Sequence, residues 1–350
     1  MRRLLSSIGL VLVFPSMSLW AQTHLNVVAT LPDYASLAKA IGGDRVFVRA
    51  IVRGDQDAHF IRPKPSFATA LRKADVLIAT GLDLELWVQT VIDSSGNAKI
   101  RSGQPGYVSA STEMHLLEKP EVISRAEGGV HIYGNPHVTC SPINMKVAAR
   151  NIATGLIKND PEGRQEYLQR LEKLHRQINE RLFGAELVEM LGGETLCNLA
   201  EQDRLIPFLK EQEFEGKPLI QYLGGWMKKA LPLRGTPIIT YHKNWVYFVR
   251  LLGLEEAGTI EPKPGIPPSP KHVANLISLM RERNIGIILA ANYFDEQKIR
   301  TVASRTNAEA VIVPLYVGGA EGVDDYFKLV DHWIEGLLKA AEVKGLLSTH

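Results

Sequence analysis

Short apolar runs alternate with amphipathic stretches along the first hundred residues of this chain. HLNVVAT (24–30), VFVRAIV (46–52) and DVLIATG (75–81) read as strands. Between them, Pro32 to Ile41, closed by Gly42-Gly43, and PSFATALRKA (65–74), with Ser66 near its N-cap, read as helices. Strands alternating with helices predict parallel βαβ units whose crossovers cover both faces of a sheet. From Asn144 the pattern turns helical, with one break at Asp160-Pro161. The stretch 161–184 carries Tyr167, Leu171, Leu174, Ile178 and Leu182 at three- and four-residue spacings and stops at Gly184. That spacing predicts one amphipathic helix of about six turns, a stiff connector rather than a loose linker. The α/β pattern then resumes. PIITYH (237–242), IGIILAAN (285–292) and AVIVPL (310–315) are expected strands, with helices near 271–284, 296–306 and 323–341. EPKPGIPPSP (261–270) suits a rigid extended connection, because each proline fixes φ.

The expected fold class is therefore α/β, with two lobes of mainly parallel sheet flanked by helices. The expected division is a signal peptide over 1–21, a first lobe over 22–159, a connecting helix over 160–184 and a second lobe over 185–350. A chain of 350 residues that is 45% hydrophobic can fill two such cores. Arg2 and Arg3, the apolar run from Leu4 to Trp20 and Ala21-Gln22 read as a secretory leader with its cleavage point. No cysteine lies at that point, so export to a periplasm without a lipid anchor is the expectation. The chain has 40 Lys and Arg against 38 Asp and Glu, and losing Arg2 and Arg3 with the leader leaves the two counts level. Nucleic acid and anionic membrane, which demand a basic surplus, are not expected partners. Cys140 and Cys197 read as small buried hydrophobes, with a disulfide between them or a ligand role for Cys140 as less favoured alternatives.

The candidate chemistry lies in three histidines. His59 sits in DAHFIRPKPS, His137 in GNPHVTCSP, and His242 ends the strand TPIITYH. His59 and His137 lie in proline-stiffened loops, whereas His242 stands where open parallel sheets bind ligands, beyond the carboxyl end of a strand. Each alone is most simply an exposed or strand-end histidine. Together they make a converging set of imidazoles, which is transition-metal chemistry. Asp57 and Glu85 are candidate acceptors for imidazole N–H groups. His131 is expected beside the site or on the surface. Trp87, Trp226, Trp245 and Trp333 read as packing residues, and His24, His115, His175, His272, His332 and His350 as solvent-facing.

These segments, taken in order with ADVLIATGLDLELW (74–87), YHKNWVYF (241–248) and PLYVGGAEGVDDYF (314–327), resemble the solute-binding receptors of bacterial zinc and manganese ABC importers. The resemblance covers the whole mature chain. It implies metal in a cleft between lobes, with His59 and His137 from the first and His242 from the second. It also implies a permease partner, a monomeric receptor and no enzymatic activity. The family commonly adds a second-lobe carboxylate, but Val313 and Ala291 stand at the matching positions. The fourth ligand is then water, or one of Asp295, Glu296, Asp324 and Asp325. Three imidazoles with water suit Zn(II), whereas Mn(II) favours oxygen-rich sites. The long histidine- and acid-rich loop of some zinc receptors is missing, which leaves Mn(II) open. A zinc hydrolase is the rival reading, since three histidines and an open position also activate water. No HExxH or GxSxG motif supports it. A surface adhesin is a further rival, disfavoured by the missing anchor cysteine.

Overall fold

A computed structural model describes residues 24–120, 131–263 and 265–347. The expected leader and His350 lie outside the described residues. Two four-stranded parallel sheets organise the chain. The first holds β1 (Leu25–Ala29), β2 (Val46–Ala50), β3 (Val76–Ala79) and β4 (Tyr107–Ser109), in the order β2-β1-β3-β4. A two-residue antiparallel pair, β5 (Glu213–Phe214) and β6 (Lys217–Pro218), stands apart. The second sheet holds β7 (Pro237–Thr240), β8 (Glu255–Thr259), β9 (Ile287–Ala291) and β10 (Glu309–Val313), in the order β10-β9-β7-β8. Taken within its own sheet, each order runs second, first, third, fourth strand. The two lobes thus repeat one topology. In both, the first strand is flanked by the second and third, which makes a switch point where ligands bind beyond the strand ends.

The apolar runs become central strands because both faces are covered. All four residues of β3 and all five of β9 are buried, as parallel sheets roofed by helices require. Proline at the first helical turn starts the helices Pro32–Gly42, Pro65–Arg72, Pro142–Asn159 and Pro270–Glu282. The second of these is capped at Lys64 and begins at Pro65, which puts Ser66 near the cap, in the first turn. Two strands escape the hydrophobic pattern. β8 reads Glu-Glu-Ala-Gly-Thr and sits at a sheet edge, where Arg283 pairs with Glu255 instead of a core. β4 is only three residues long.

The connecting helix is Arg164–Phe183, entered through a short turn at Pro161–Gly163 and ended by Gly184 at φ 87°. Tyr167, Leu174, Ile178 and Leu182 are buried along one face, as their spacing predicts, and Leu171 is half-buried. Short helices from Ala185 to Ala230 lead into the second lobe. Among the described residues no helix is long and apolar enough to cross a membrane. Cys140 and Cys197 are both buried free thiols.

An ion pair fixes the break before the connecting helix. Arg45, just before β2, donates from Nε and Nη2 to Asp160 at 2.7 and 2.9 Å. The Tyr167 hydroxyl donates to the same carboxylate at 2.6 Å. The hydrogen bond from Arg45 chiefly holds the Asp160 carboxyl below its usual range, against the cost of burial. A depressed folded-state value contributes stability above the unfolded carboxylate value, about 3.9. That contribution fades as pH falls through the lower folded value. Asp160→Ala leaves buried Arg45 with only its longer contact to Glu166 at 3.4 Å, so it should destabilise the protein by about 2–3 kcal/mol. Urea unfolding at pH 7 measures this, and the difference between variant and parent should shrink in acid.

Candidate metal centre

Each of the three histidines is held by its own local device. His59 lies in the short turn Ala58–Phe60 after β2, capped by Asp57, whose Oδ1 accepts from the His59 backbone N–H at 2.9 Å. The same oxygen lies 2.7 Å from His59 Nδ1. The Trp87 indole N–H donates to the Ala58 carbonyl at 2.7 Å, pinning the turn from beneath. His137 follows an Asx turn in which Asn135 Oδ1 accepts from the His137 N–H at 3.0 Å. Asn135 also donates to the Lys243 carbonyl at 2.8 Å, which ties this first-lobe loop to the residue after His242. His242 stands two positions beyond β7, and its Nδ1 donates to Glu261 Oε2 at 2.5 Å. Glu261 follows β8 and accepts from the Gly265 N–H at 2.9 Å through its other oxygen.

The three rings meet. One ligand-capable nitrogen from each of His59, His137 and His242 lies within 4.8 Å of the others. At that widest spacing a central ion would be about 2.8 Å from each nitrogen, against 2.0–2.1 Å for Zn–N, so loading needs inward shifts of under about 1 Å. His137 and His242 are buried and His59 is partly so. Both ring nitrogens of His137 lack any hydrogen-bond partner. An unsatisfied buried polar group costs about 1–3 kcal/mol; a cation at its lone pair would remove that cost. Burial first, and then the neighbouring imidazoles, push the His137 pKa well below the usual histidine value. The ring is therefore neutral, the form a metal needs. The site opens into a cavity of about 290 Å³ between the lobes, with His59, Asp83 and Leu86 on one side and His242, Glu261 and Phe294 on the other.

Several expectations change here. Asp57 does accept from an imidazole, and although burial acts to raise its pKa, the hydrogen bond and charge of His59 hold it below its usual range. Glu85 does not: it is buried beneath the strand ends, accepts from Thr30 and Thr80, and is shifted upward by burial. Glu261 supplies the second imidazole acceptor, and Asp83 a third, lying 2.9 Å from His131 Nδ1. His131 is at the site, with its Nε2 3.2 Å from that of His59. None of the four acidic fourth-ligand candidates joins the three histidines or lines the cavity. Asp295 and Asp325 cap helices by accepting from the Lys298 and Lys328 backbone N–H groups. Glu296 pairs with Arg300 on an exposed helix face, and Asp324, just before the last helix, pairs with Lys328. Val313 and Ala291 are buried in the core. Cys140 is buried in the core, outside the three-histidine group. His175 and His272 are half-buried, each within 2.9 Å of a backbone carbonyl, that of Lys146 and Thr259 respectively.

Two parallel-sheet lobes, a connecting helix and imidazoles converging in the cleft define a metal-binding receptor of the importer type. Residues 27–182 and 220–340 match the family described as zinc-uptake complex component A, periplasmic, and the chain belongs to that family. Its members are solute-binding receptors for ABC transporters and not enzymes. The manganese ABC transporter substrate-binding lipoprotein ScaA of Streptococcus gordonii is 24% identical over 337 residues, covering 91% of each chain. The iron-binding protein YfeA of Yersinia pestis is 22% identical over 321 residues, covering 89% of this chain and 85% of its own. A zinc-bound crystal structure of a ZnuA deletion mutant shares the fold with a TM-score of 0.65 at 20% identity, covering 93% of this chain and 99% of that one.

Carboxylates that orient ligating imidazoles typically contribute 10–100-fold to metal affinity. Asp57→Ala and Glu261→Ala should each weaken metal binding by that factor while leaving the far-ultraviolet circular dichroism unchanged. Competition against a fluorescent chelator measures it; parental affinity in both variants would remove the orienting role.

Proposed function

We propose that this receptor captures Zn(II) through His59, His137 and His242 and hands it to the permease of an ABC importer. The observation that carries the reading is the convergence of three neutral-capable imidazoles, with no carboxylate joining them among the described residues. Nitrogen ligands in a near-tetrahedral set suit Zn(II), whereas Mn(II) takes sites richer in oxygen. A second reading, Mn(II) or Fe(II) as cargo, draws on relatives named for manganese and iron. The expected units, 22–159, 160–184 and 185–350, would act as two jaws on a stiff spine, with loops moving more than lobes. The receptor would work as a monomer outside the cytoplasmic membrane. ScaA is named a lipoprotein; an unanchored mature form of this chain belongs to the proposal, and recovery of the mature protein in the membrane fraction would remove that part.

His242→Ala should weaken Zn(II) binding at least tenfold, the order that even orienting groups contribute. Affinity should also fall as pH is lowered, since protons compete with metal for the imidazole lone pairs. Calorimetric titration of the metal-free protein with Zn(II) and Mn(II) separates the two cargo readings. Tighter binding of Mn(II) than Zn(II) would overturn the zinc assignment, and an unchanged His242→Ala affinity would overturn the ligand set.

A further inference from the structure

We propose that His131 is the fourth protein ligand, so that the cargo ion is held by four imidazoles; this rests on the three-histidine reading. The hydrogen-bonding roles of the ring nitrogens at the His59–His131 contact point to a shared cation. His59 Nδ1 faces Asp57 Oδ1 at 2.7 Å, and His131 Nδ1 faces Asp83 Oδ1 at 2.9 Å. A carboxylate only accepts, so each Nδ1 carries a proton, and in the neutral form that metal binding requires each Nε2 presents a bare lone pair. Those two Nε2 atoms lie 3.2 Å apart. Two lone pairs at that distance repel unless something positive stands between them. A shared ion does this, and the edge of a tetrahedron with Zn–N bonds of 2.0–2.1 Å is about 3.3 Å.

The wider arrangement agrees. In a four-imidazole tetrahedron the ring centroids stand about 5.2 Å apart by the same bond lengths. Here the pairs His59–His137, His59–His242 and His137–His242 are at 5.1, 5.8 and 5.5 Å. His131 lies 5.3 Å from His59 and 6.1 Å from His137, with the latter pair nearly perpendicular. Five of the six ring pairs thus sit within about 1 Å of the tetrahedral value; His131 stands outside the 4.8 Å three-histidine group and would swing inward on loading. His131 is also built in. Asp83 accepts from the Ile132 backbone N–H at 3.0 Å through its second oxygen, so one carboxylate fixes both ring and backbone. Three of the four rings then have a carboxylate behind them, the arrangement that orients metal-bound histidine and raises its basicity. Among the described residues no carboxylate joins the imidazole group, which favours Zn(II) and the other late first-row metals over Mn(II).

The test is X-ray absorption at the zinc edge on the full mature protein carrying one equivalent of zinc, with competition titrations alongside. We expect four imidazole nitrogens in the parent protein, three in His131→Ala, and a Zn(II) affinity at least tenfold weaker in that variant. Asp83→Asn should fall between the two. His131→Gln keeps the bulk of the side chain, and its imidazole count stands in if His131→Ala melts early. Three imidazoles and an oxygen in the parent would overturn the proposal: the His59–His131 contact would then be a shared proton. His242→Ala separates the two levels. If it loses affinity while His131→Ala does not, only the fourth ligand is lost; if it too binds as the parent does, the three-histidine reading falls with it.

Discussion

Carboxylate-backed imidazoles are the constraint on which this molecule depends. Asp57, Glu261 and Asp83 each hold the Nδ1 proton of one histidine, and so turn the other nitrogen toward a common centre. Without them a ring could flip or change tautomer and present a donor where an acceptor is needed. The carboxylates also keep negative charge close to the cleft while standing behind the rings. His137 alone has no such partner; its orientation comes from burial and from the Asn135 turn before it.

That orientation would be useless if the lobes could drift. The cleft is flanked by bonds that cross between halves of the chain. The Tyr247 hydroxyl donates to the Asn135 carbonyl at 2.7 Å and accepts from the Leu117 N–H at 3.2 Å. The Tyr326 hydroxyl donates to the Thr139 carbonyl at 2.7 Å, and Lys243 pairs with Glu118. Two of these four end on the loop that carries His137, at Asn135 and Thr139. The loop is therefore held by both lobes at once, and His137 moves only when they do. Small shifts of side chains and turns, within the scale that closing on an ion requires, are what such a framework permits.

Much of this was visible in the amino-acid order, and the remainder was hidden for definite reasons. VVAT, VLIA and PIIT announce buried parallel strands because both faces must be apolar, and the prolines around His59 and His137 mark loops with fixed shape. The edge strand β8 was invisible, since two glutamates, a glycine and a threonine carry no alternation. Missing β8 concealed Glu261, which reaches His242 only because β8 lies beside β7. Asp83 and Glu85 sit two residues apart, yet one faces the cavity and the other lies buried among threonines. Nothing local distinguishes them. His131 meets a residue 72 positions away, a contact that exists only in the folded chain.

Gly54, after β2, and Gly319, after β10, meet main chain to main chain. A Cβ on Gly54 would lie 2.2 Å from the Gly319 nitrogen, and one on Gly319 would lie 2.4 Å from the Gly54 carbonyl oxygen. Peptide groups, and not side chains, thus set the gap between the jaws on that flank. Ordinary substitution can only prise such a seam open; it cannot tighten it. A change of cargo preference would consequently have to come from the ring-bearing loops, because the calliper that spaces them has no adjustable part.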